Sequence, residues 1–294
     1  MSFSPGERVT RKSHNHDLLF RISSITGDTA ILHGEDIRLA ADAPLDDLVH
    51  VKAKDLAKRK AKEKEQVEFS YRLFSQDYRL MKEKREYETG DGYQHTAGYF
   101  QLPLRVLHVD GDQTYLRKCM ELYRRVGLQV QGVHMLEKEM PDKIGELVDK
   151  INPHIIIITG HDAFSRNKGS KDDLRAYRHS KYFIETVEII RQKNPRLDEL
   201  VIFAGACQSH FESLIRAGAN FASSPSRINI HALDPVYIAA RVAYTPFMEK
   251  IGIWEALRNT LTGEKGLGGV ETKGLLRVGM PHTPEDEDDN DQLT

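Results

Sequence analysis

The strongest hydrophobic pattern lies between residues 104 and 243, where short apolar runs alternate with longer amphipathic segments. The run IIII at 155–158 is continuous and β-branched, as expected of a strand buried on both faces of a parallel sheet. Strands alternating with helices predict an α/β fold with a doubly wound, mainly parallel sheet. The predicted strands are 104–109, 128–133, 154–159, 200–204 and 219–222, and the predicted helices are 112–126, 138–150, 173–193, 208–217 and 234–243.

The first 51 residues show a different pattern, of short apolar runs separated by polar turns. The runs GERVTRK, LLFRISSI, TAILHG and DIRLAA are each typical of a strand, and Thr26-Gly27-Asp28 is a hairpin turn signal. Short strands at this spacing predict a small SH3-like or Tudor-like β-barrel module over residues 1–51. Such modules usually bind peptides, nucleic acid or a partner domain.

The next segment, 52–103, is predicted to connect this module to the α/β domain at 104–280. Residues 52–88 are rich in Lys and Glu and lack Pro and Gly, which predicts a helix. The basic residues between Lys52 and Lys64 indicate a solvated connecting helix or, alternatively, a surface that attracts an acidic protein or nucleic acid. The run TGDGYQHTAGYFQLP then predicts a linker or an ordered loop.

Composition and charge narrow the possible functions. The chain has 294 residues, of which 39% are hydrophobic and 29% charged, and this fits a globular protein with a sizeable core. A formal net charge of -2 creates no global field for nucleic acid or membrane, so neither is an expected partner. No segment is apolar enough for a signal peptide or a membrane span. The last residues, 281–294, are strongly acidic and predict a disordered tail.

The cysteine content sets further limits. The chain has two cysteines, Cys119 and Cys207, which exclude a disulfide framework and show no metal-ligand spacing. A reducing, intracellular compartment is therefore expected, with no metal and no cofactor. The question that remains is whether either thiol takes part in chemistry.

Ligands of doubly wound sheets bind beyond the carboxyl ends of the strands, so the residues at those ends are the candidates for chemistry. The first strand ends in HVDGDQTYLRK, which superficially resembles a phosphoryl-accepting receiver domain. A receiver needs an Asp at the end of its third strand, and the third strand here ends in Thr159-Gly160 instead. Asp110 and Asp112 are therefore interpreted as a turn and a helix N-cap.

A histidine and a cysteine follow two neighbouring strands of the predicted sheet. His161 follows the third strand in IIIITGHDAF, and Cys207 follows the fourth in VIFAGACQSHF. Parallel neighbours lie about 5 Å apart, so side chains at their ends can reach a shared point. The small residues Gly205 and Ala206 leave room for a substrate chain. The sequence thus predicts that Cys207 and His161 form a nucleophile–base pair.

The helix predicted to begin near Gln208 would point its free N–H groups at the sulfur. Such an arrangement lowers the pKa of a thiol and supplies donors for an oxyanion. The plain alternatives are that Cys207 only packs and that His161 is structural. His210 is a rival base, although it shares a helix with the nucleophile. Cys119 lies inside the helix predicted at 112–126 and is interpreted as a packing residue.

These motifs also carry a resemblance to known proteins. The order strand–Gly–His, helix, strand–Ala–Cys resembles the caspase, legumain and gingipain clan of cysteine peptidases. The resemblance is closer to the YabG family of sporulation-specific proteases and covers nearly the whole chain. It implies that residues 104–280 form a caspase-like peptidase domain. The segments that carry it are GERVTRKSHNHDLLFRI, RVLHVDGD, IIIITGHDAF and FAGACQSHFESLIRAGANFASSPSRINIHALDP.

The resemblance implies an endopeptidase that trims spore coat and cortex-associated proteins. Such an enzyme is made in the cytoplasm of the mother cell and becomes associated with the spore coat. The matched positions make Cys207 the nucleophile and His161 the base, acting through an acyl-enzyme. The oligomeric state is left open.

The supporting residues of this site are less determined. The N–H of Cys207 is the first candidate oxyanion donor, and its neighbour Ala206 is a supporting residue. Gly160 precedes the histidine, whereas the clan usually has a glycine after it, so the second donor stays open. Asp162 either orients His161 or caps the segment that follows.

The sequence gives the weakest indication of which residues determine substrate specificity. The charged, Gly-containing loop 164–183, which includes Arg166, either walls the cleft or is a plain surface loop. Resemblance to Arg-preferring members of the clan suggests a basic residue before the cleaved bond, which requires an acid in the pocket. Asp234 is the candidate for that acid, and Ser224 is a further candidate for substrate binding.

Other functions remain open from the sequence. GACQS resembles the nucleophile elbow of glutamine amidotransferases, a class that keeps its histidine downstream, where His231 could serve. The chain could also be a scaffold that only binds coat proteins. If it is a peptidase, the basic residues at 52–66 make self-cleavage there a further expectation.

Overall fold

The computed structural model describes residues 3–89 and 100–279. Its N-terminal part is an antiparallel sheet of five strands in the order β4-β3-β2-β1-β5. The predicted turn at Gly27 is confirmed, because Thr26 pairs with Thr29 across the hairpin of β2 and β3. The strands are β1 Arg8–Arg11, β2 Phe20–Thr26, β3 Thr29–Gly34, β4 Ala40–Pro44 and β5 Leu48–His50.

This sheet differs from the predicted barrel in two ways. Within the described residues no ladder joins β4 to β5, so the closure of the predicted barrel is not found. The run DIRLAA does not form the fourth strand as a whole, because β4 begins only at Ala40. Residues 36–39 instead leave the sheet and pair with the α/β region: Ile37 forms a bridge with His231, and Leu39 forms one with Asp162.

The predicted helix over 52–88 is confirmed as α1, Ala53–Thr89. It does more than connect, because aromatic side chains on one of its faces pack against the α/β region. The ring centroids of Phe74 and Tyr237 are 5.8 Å apart, and those of Tyr78 and Tyr244 are 4.5 Å apart. Residues 90–99 of the predicted linker, and the predicted acidic tail at 281–294, lie outside the described residues.

The α/β region is built on a sheet of six strands in the order β13-β11-β10-β9-β7-β8. The five predicted strands are confirmed and run parallel, and β13 adds an antiparallel edge that the sequence analysis missed. Two short pairs, β12 with β14 and β6 with β15, lie outside this sheet. The bounds are β6 Phe100–Gln101, β7 Val106–Asp110, β8 Val130–His134, β9 Ile155–Thr159, β10 Val201–Ala204, β11 Phe221–Ser223, β12 Lys250–Ile251, β13 Leu267–Gly269, β14 Thr272–Lys273 and β15 Val278–Gly279.

Helices cover both faces of this sheet, as predicted. Along β9, Ile155 and Ile157 belong to the core that includes α2 and α6, whereas Ile156 and Ile158 belong to the core that includes α3 and α4. This alternation follows from the period of two along a strand. The helices are α2 Gln113–Arg125, α3 Met140–Ile151, α4 Ser180–Lys193, α5 Phe211–Arg216, α6 Asp234–Tyr244 and α7 Ile253–Leu257.

Local sequence signals explain where these helices begin and end. The side chain of Asp112 accepts hydrogen bonds from the N–H groups of Thr114 and Tyr115, so the predicted N-cap of α2 is confirmed. Asn152 ends α3 in a left-handed conformation, with a φ of 47°. None of the described helices is both long and apolar enough to cross a bilayer.

Candidate active site

Cys207 lies in a turn between the end of β10 and the start of α5. Its side chain is fully buried, and its sulfur accepts a hydrogen bond from the N–H of Ile230 at 3.2 Å. The sulfur also lies 3.5 Å from the carbonyl oxygen of Ile230. The N–H of Cys207 donates to the carbonyl oxygen of Arg38 at 3.1 Å. The thiol therefore faces one main-chain segment while its own amide faces another.

The small residues before Cys207 are required by close packing. Gly205 has a φ of +109°, and a Cβ there would come within 2.4 Å of the Ser223 hydroxyl oxygen. Ala206 is buried; its N–H donates to the Ser209 hydroxyl at 2.9 Å, and its carbonyl accepts from the Ser223 hydroxyl at 2.8 Å. Together these contacts fix the main chain that leads into Cys207.

The expectation that a helix N-terminus activates the thiol is wrong for this structure. α5 begins at Phe211, its N-cap is His210, and Gln208 has a φ of +57°. The turn therefore separates the sulfur from the helix. Burial raises the pKa of the Cys207 thiol well above its usual range.

His161 follows β9 and is buried among aromatic and acidic groups. Its ring stacks on that of His33, with 3.7 Å between the centroids. Its Nε2 lies 3.5 Å from Asp112 Oδ2, and its Nδ1 lies 3.6 Å from Glu137 Oε1. Burial lowers the pKa of His161, although the two carboxylates oppose that shift. His161 Nε2 is buried without a hydrogen-bond partner among the described residues.

Glu137 is a neighbour of His161 that the sequence analysis missed. Its Oε1 accepts a hydrogen bond from the N–H of His161 at 2.7 Å. A Cβ on Gly160 would lie 2.4 Å from the same Oε1, so the glycine before the histidine makes room for this carboxylate. The available signal was position, because Glu137 comes soon after β8 and therefore near the carboxyl edge of the same sheet.

Asp162 makes no hydrogen bond to the ring of His161 through its side chain. Its carboxylate accepts from the N–H groups of Ala163 and His179 and from the hydroxyls of Ser180 and Ser209. Its main-chain N–H donates to the carbonyl oxygen of Arg38 at 3.3 Å. Asp162 was predicted either to orient His161 or to cap the segment that follows, and its side-chain contacts are those of a cap. Its main-chain N–H, which was not predicted to have a role, is directed at the carbonyl oxygen of Arg38.

The structure brings Cys207 and His161 to the same edge of the sheet. In the ladder of β10 with β9, Ala204 pairs with Ile158, so the two residues follow their strands at the same distance. No hydrogen bond joins their side chains in the described part of the chain. Residues 36–39 approach this edge, and Arg38 lies in contact with the loops that carry both residues.

The carbonyl oxygen of Arg38 occupies a site with two donors. The N–H of Cys207 lies 3.1 Å from this oxygen, and the N–H of Asp162 lies 3.3 Å from it. Two main-chain donors directed at one carbonyl oxygen, beside a thiol, are the arrangement that stabilises an oxyanion in acyl transfer. This site therefore offers a second donor in the residue after His161.

The predicted specificity residues lie apart from these donors. Asp234 is buried, and its carboxylate accepts from the N–H groups of His231, Leu261 and Thr262 and from the Thr262 hydroxyl. Burial raises its pKa to about 6. Ser224 closes a turn through a hydrogen bond from its hydroxyl to the carbonyl of Ile228.

The remaining candidates also have structural surroundings. Arg166 is exposed in a short 3-10 helix of the segment between β9 and α4, and α4 includes the last residues of the predicted loop 164–183. His210 accepts a hydrogen bond from the N–H of Ser213 and caps α5. His231, the base that the amidotransferase alternative needs, accepts a hydrogen bond from the N–H of Leu233, and burial lowers its pKa to about 4.

Two side-chain clusters among the described residues could hold a metal ion. One consists of His33, Asp112 and His161, and the other of His108, Asp110 and Cys119. Arg21 donates to Asp112 Oδ2 at 2.6 Å, and Arg38 donates to Asp110 Oδ2 at 2.8 Å. A guanidinium thus supplies the positive charge at each carboxylate, and the first cluster overlaps the candidate base.

A doubly wound sheet with polar side chains crowded beyond its carboxyl ends is the architecture of an α/β enzyme. Residues 4–281 match the model of the family described as YabG peptidase U57, so the chain belongs to this family of peptidases. It is 57% identical over 287 residues to the Sporulation-specific protease YabG of Bacillus subtilis (strain 168), a match covering 96% of this chain and 99% of the relative. No solved structure matches the chain. The resemblance of the motifs to the YabG family is confirmed.

Proposed function

We propose that the chain is a cysteine endopeptidase in which Cys207 is the nucleophile and His161 the general base. The observation that carries this proposal is the position of the Arg38 carbonyl oxygen between the N–H groups of Cys207 and Asp162. A peptide carbonyl held in this way presents its carbon near a cysteine, with donors ready for the charge that develops on its oxygen.

The proposed reaction has two steps. His161 accepts the thiol proton, and the Cys207 sulfur forms a bond to the carbonyl carbon of the substrate. The carbon–nitrogen bond then breaks as His161 gives the proton to the leaving amine. Water next adds to the thioester, which releases the carboxylic acid and restores the thiol.

The acidities of the two groups oppose this reaction while the site is closed. Burial raises the pKa of Cys207 and lowers the pKa of His161, so both shifts disfavour transfer of the proton from sulfur to imidazole. Access of water or substrate to the site reduces the desolvation and moves both pKa values back toward each other. The proposed enzyme is therefore more active in an opened form.

The topology supports the proposed caspase-like and SH3-like folds. His161 and Cys207 follow adjacent central strands, β9 and β10, of a mainly parallel sheet with helices on both faces. In the N-terminal sheet the strand order β5-β1-β2-β3-β4, with a register shift between Ile22 and Ser24, is consistent with an SH3-like module that is left open.

The proposed substrates are spore coat and cortex-associated proteins. The support is the relative from Bacillus subtilis, which is named a sporulation-specific protease and matches almost end to end. We infer that the enzyme is made in the mother cell and joins the coat together with its substrates. Its partners are then proteins rather than membranes or nucleic acids.

The test is the processing of a spore coat extract by purified variants. Cys207→Ala should stop processing, and His161→Ala should slow it by about 10²–10⁴-fold, as expected for loss of a general base. His210→Ala is the matched control: it removes a cap of α5 at a cost of about 1 kcal/mol of stability and should keep most of the activity.

Unchanged processing by Cys207→Ala would refute the proposal. Equal losses in His161→Ala and His210→Ala would refute the assignment of His161. A glutaminase assay on the same samples separates the amidase alternative, which predicts release of ammonia from glutamine without peptide cleavage.

A further inference from the structure

Residues 36–39, here called the strap, are paired on one side with the chain after β11, and they turn at Arg38, where the N–H of Leu39 donates to the carbonyl oxygen of Ile37 at 2.9 Å. The N–H of Ala232 donates to the carbonyl oxygen of Asp36 at 2.9 Å, and the N–H of Arg38 donates to the carbonyl oxygen of Ile230 at 3.3 Å. The bridge between Ile37 and His231 is antiparallel. Main-chain hydrogen bonds to a neighbouring segment are a common way for proteins to bind peptides.

The other side of the strap meets the candidate catalytic loops. The Arg38 carbonyl oxygen accepts from the N–H groups of Cys207 and Asp162, and the N–H of Ala40, just after the strap, donates to the carbonyl oxygen of Asp162 at 3.2 Å. The Tyr115 hydroxyl donates to the carbonyl oxygen of Ile37 at 2.6 Å. The backbone is therefore held before and after the Arg38 carbonyl.

The side chain of Arg38 enters a pocket at the end of β7. It is fully buried, its Nη1 donates to Asp110 Oδ2 at 2.8 Å, and its Nη2 donates to the carbonyl oxygen of Ala232 at 2.9 Å. Its guanidinium carbon lies 5.1 Å from the centre of the Tyr115 ring. Burying a guanidinium costs several kcal/mol unless it is paired. A loop that only had to pack there would be served better by an apolar side chain.

We propose that the strap is an internal ligand of this chain's own substrate cleft, with Arg38 in the specificity pocket and Asp110 as the acid that selects it. This inference rests on the proposed function, because it takes the site beside Cys207 as the place where a substrate carbonyl binds. It assigns to Asp110 the role that the sequence analysis gave to Asp234. It also makes Arg38–Leu39 the bond whose carbonyl is held by the main-chain N–H of Cys207.

The strap blocks access to the site from outside. Cys207 is 0% exposed and His161 is 1% exposed, so no second peptide can reach them while the strap is in place. His33, which precedes the strap on β3, adds to this cover by stacking on the ring of His161. The folded chain is accordingly inhibited by its own N-terminal module, and activity requires the strap to leave or to be cut.

The test measures how fast iodoacetamide alkylates Cys207, using mass spectrometry of the peptide that carries it. Arg38→Ala should raise this rate at least tenfold over the wild type, because the pocket no longer holds the strap. Arg178→Ala is the matched control: it removes another arginine between the same two regions, the partner of Asp42, but leaves the strap contacts in place. It should react at the wild-type rate.

Arg38→Ala leaves the Asp110 carboxylate buried without its partner, so a second variant guards against loss of the fold. Arg38→Ala combined with Asp110→Asn removes both charges and most of the Arg38 side chain, so no carboxylate is left buried without its partner. It should also alkylate Cys207 at least tenfold faster, at a rate well above that of its global unfolding. Wild-type rates in both Arg38 variants would overturn the proposal, since the strap would then be a permanent structural tie.

The outcomes separate this proposal from the proposed function. Fast alkylation of Cys207 in Arg38→Ala, which keeps Asp110, without any cleavage of protein keeps the strap as the cover of the site and refutes the peptidase role of Cys207. An active peptidase whose Cys207 reacts equally fast with and without Arg38 refutes the strap and keeps the peptidase.

Discussion

The helix that carries Cys119 and the turn that carries Cys207 bury their thiols equally. The two regions differ in what the main-chain N–H of the cysteine can bond to. Both side chains are fully buried, and burial raises the pKa of both, that of Cys119 to about 12. Cys119 lies inside α2, where the main chain is committed to the helix. Cys207 lies outside regular structure, so its N–H is free to donate to the Arg38 carbonyl.

The same arginine contacts both regions through different groups. The guanidinium of Arg38 lies 3.5 Å from the Cys119 sulfur, whereas the carbonyl oxygen of Arg38 faces the N–H of Cys207. Burial and acidity therefore do not distinguish the proposed nucleophile from the packed thiol in this chain. The main-chain donors beside Cys207 are the difference between the two regions, because such donors can stabilise charge on a carbonyl oxygen.

The largest expected effect comes from exchanging each thiol for a methyl group. Cys207→Ala should lower the rate of peptide cleavage by on the order of 10³-fold or more, because it removes the nucleophile. Cys119→Ala should act mainly on stability, at a cost of about 1–2 kcal/mol for the small cavity it creates. Initial rates and urea unfolding of both variants test the comparison, and similar losses of rate in the two would break it.

The next effect concerns the position of self-cleavage. Because the N–H of Cys207 holds the Arg38 carbonyl oxygen, processing should occur between Arg38 and Leu39, once the thiol turns from Ile230 to this carbonyl, and not among the basic residues at 52–66. Intact mass spectrometry of the wild type should show loss of residues 1–38, and Cys207→Ala should retain them.

A matched arginine variant sharpens this result. Arg38→Ala should slow the cut after residue 38 by about 10²-fold, as a buried charge pair in the specificity pocket is lost. Arg59→Ala, within the basic segment of α1, should leave it unchanged. Fragments that begin within 52–66 would contradict the position inferred from the strap.

The smallest effect is on the pH dependence of stability. Burial raises the pKa of Cys119 from 9.0 to about 12, so between these values the folded chain keeps a proton that the unfolded chain releases. Unfolding then releases a proton, and the free energy of unfolding falls as the pH rises above 9, with a slope approaching ~1.4 kcal/mol per pH unit from this group.

Urea unfolding at pH 8, 9 and 10 tests this contribution. Cys119→Ala lacks the group and should lose less stability than the wild type between pH 9 and pH 10. Parallel losses in the two proteins would show that the Cys119 thiol ionises as it does in the unfolded chain.

The sequence predicted the α/β region well because its signals are local. A short, continuous β-branched run such as that of 155–158 favours a buried strand, and Asp112 caps α2 through its own near neighbours. The short strands after residue 245 were missed, because two or three residues carry no period. In the N-terminal module the sequence predicted the turn at Gly27, but it could not predict that β4 and β5 remain unpaired.

The candidate site was predictable only in part, because sequence signals are local and some of its residues come from distant elements. His161 and Cys207 follow adjacent strands, and a parallel sheet places such residues at one edge whatever surrounds them. Glu137, His33 and Arg38 come from other elements and reach this edge only through packing. Asp162 was singled out for its side chain, yet its N–H is the group that faces Arg38.

The sequence by itself determined the order of strands and helices, the small residues before Cys207 and the family motifs around it. Only the tertiary structure decided that residues 36–39 of the run DIRLAA leave the N-terminal sheet and pair with the α/β region. The run has the pattern of a strand, and its partners lie far along the chain. Arg38 pairs with Asp110, 72 residues away, and with Ala232, 194 residues away. Such pairing depends on which surfaces meet in three dimensions, and local hydrophobic periodicity carries no information about that choice.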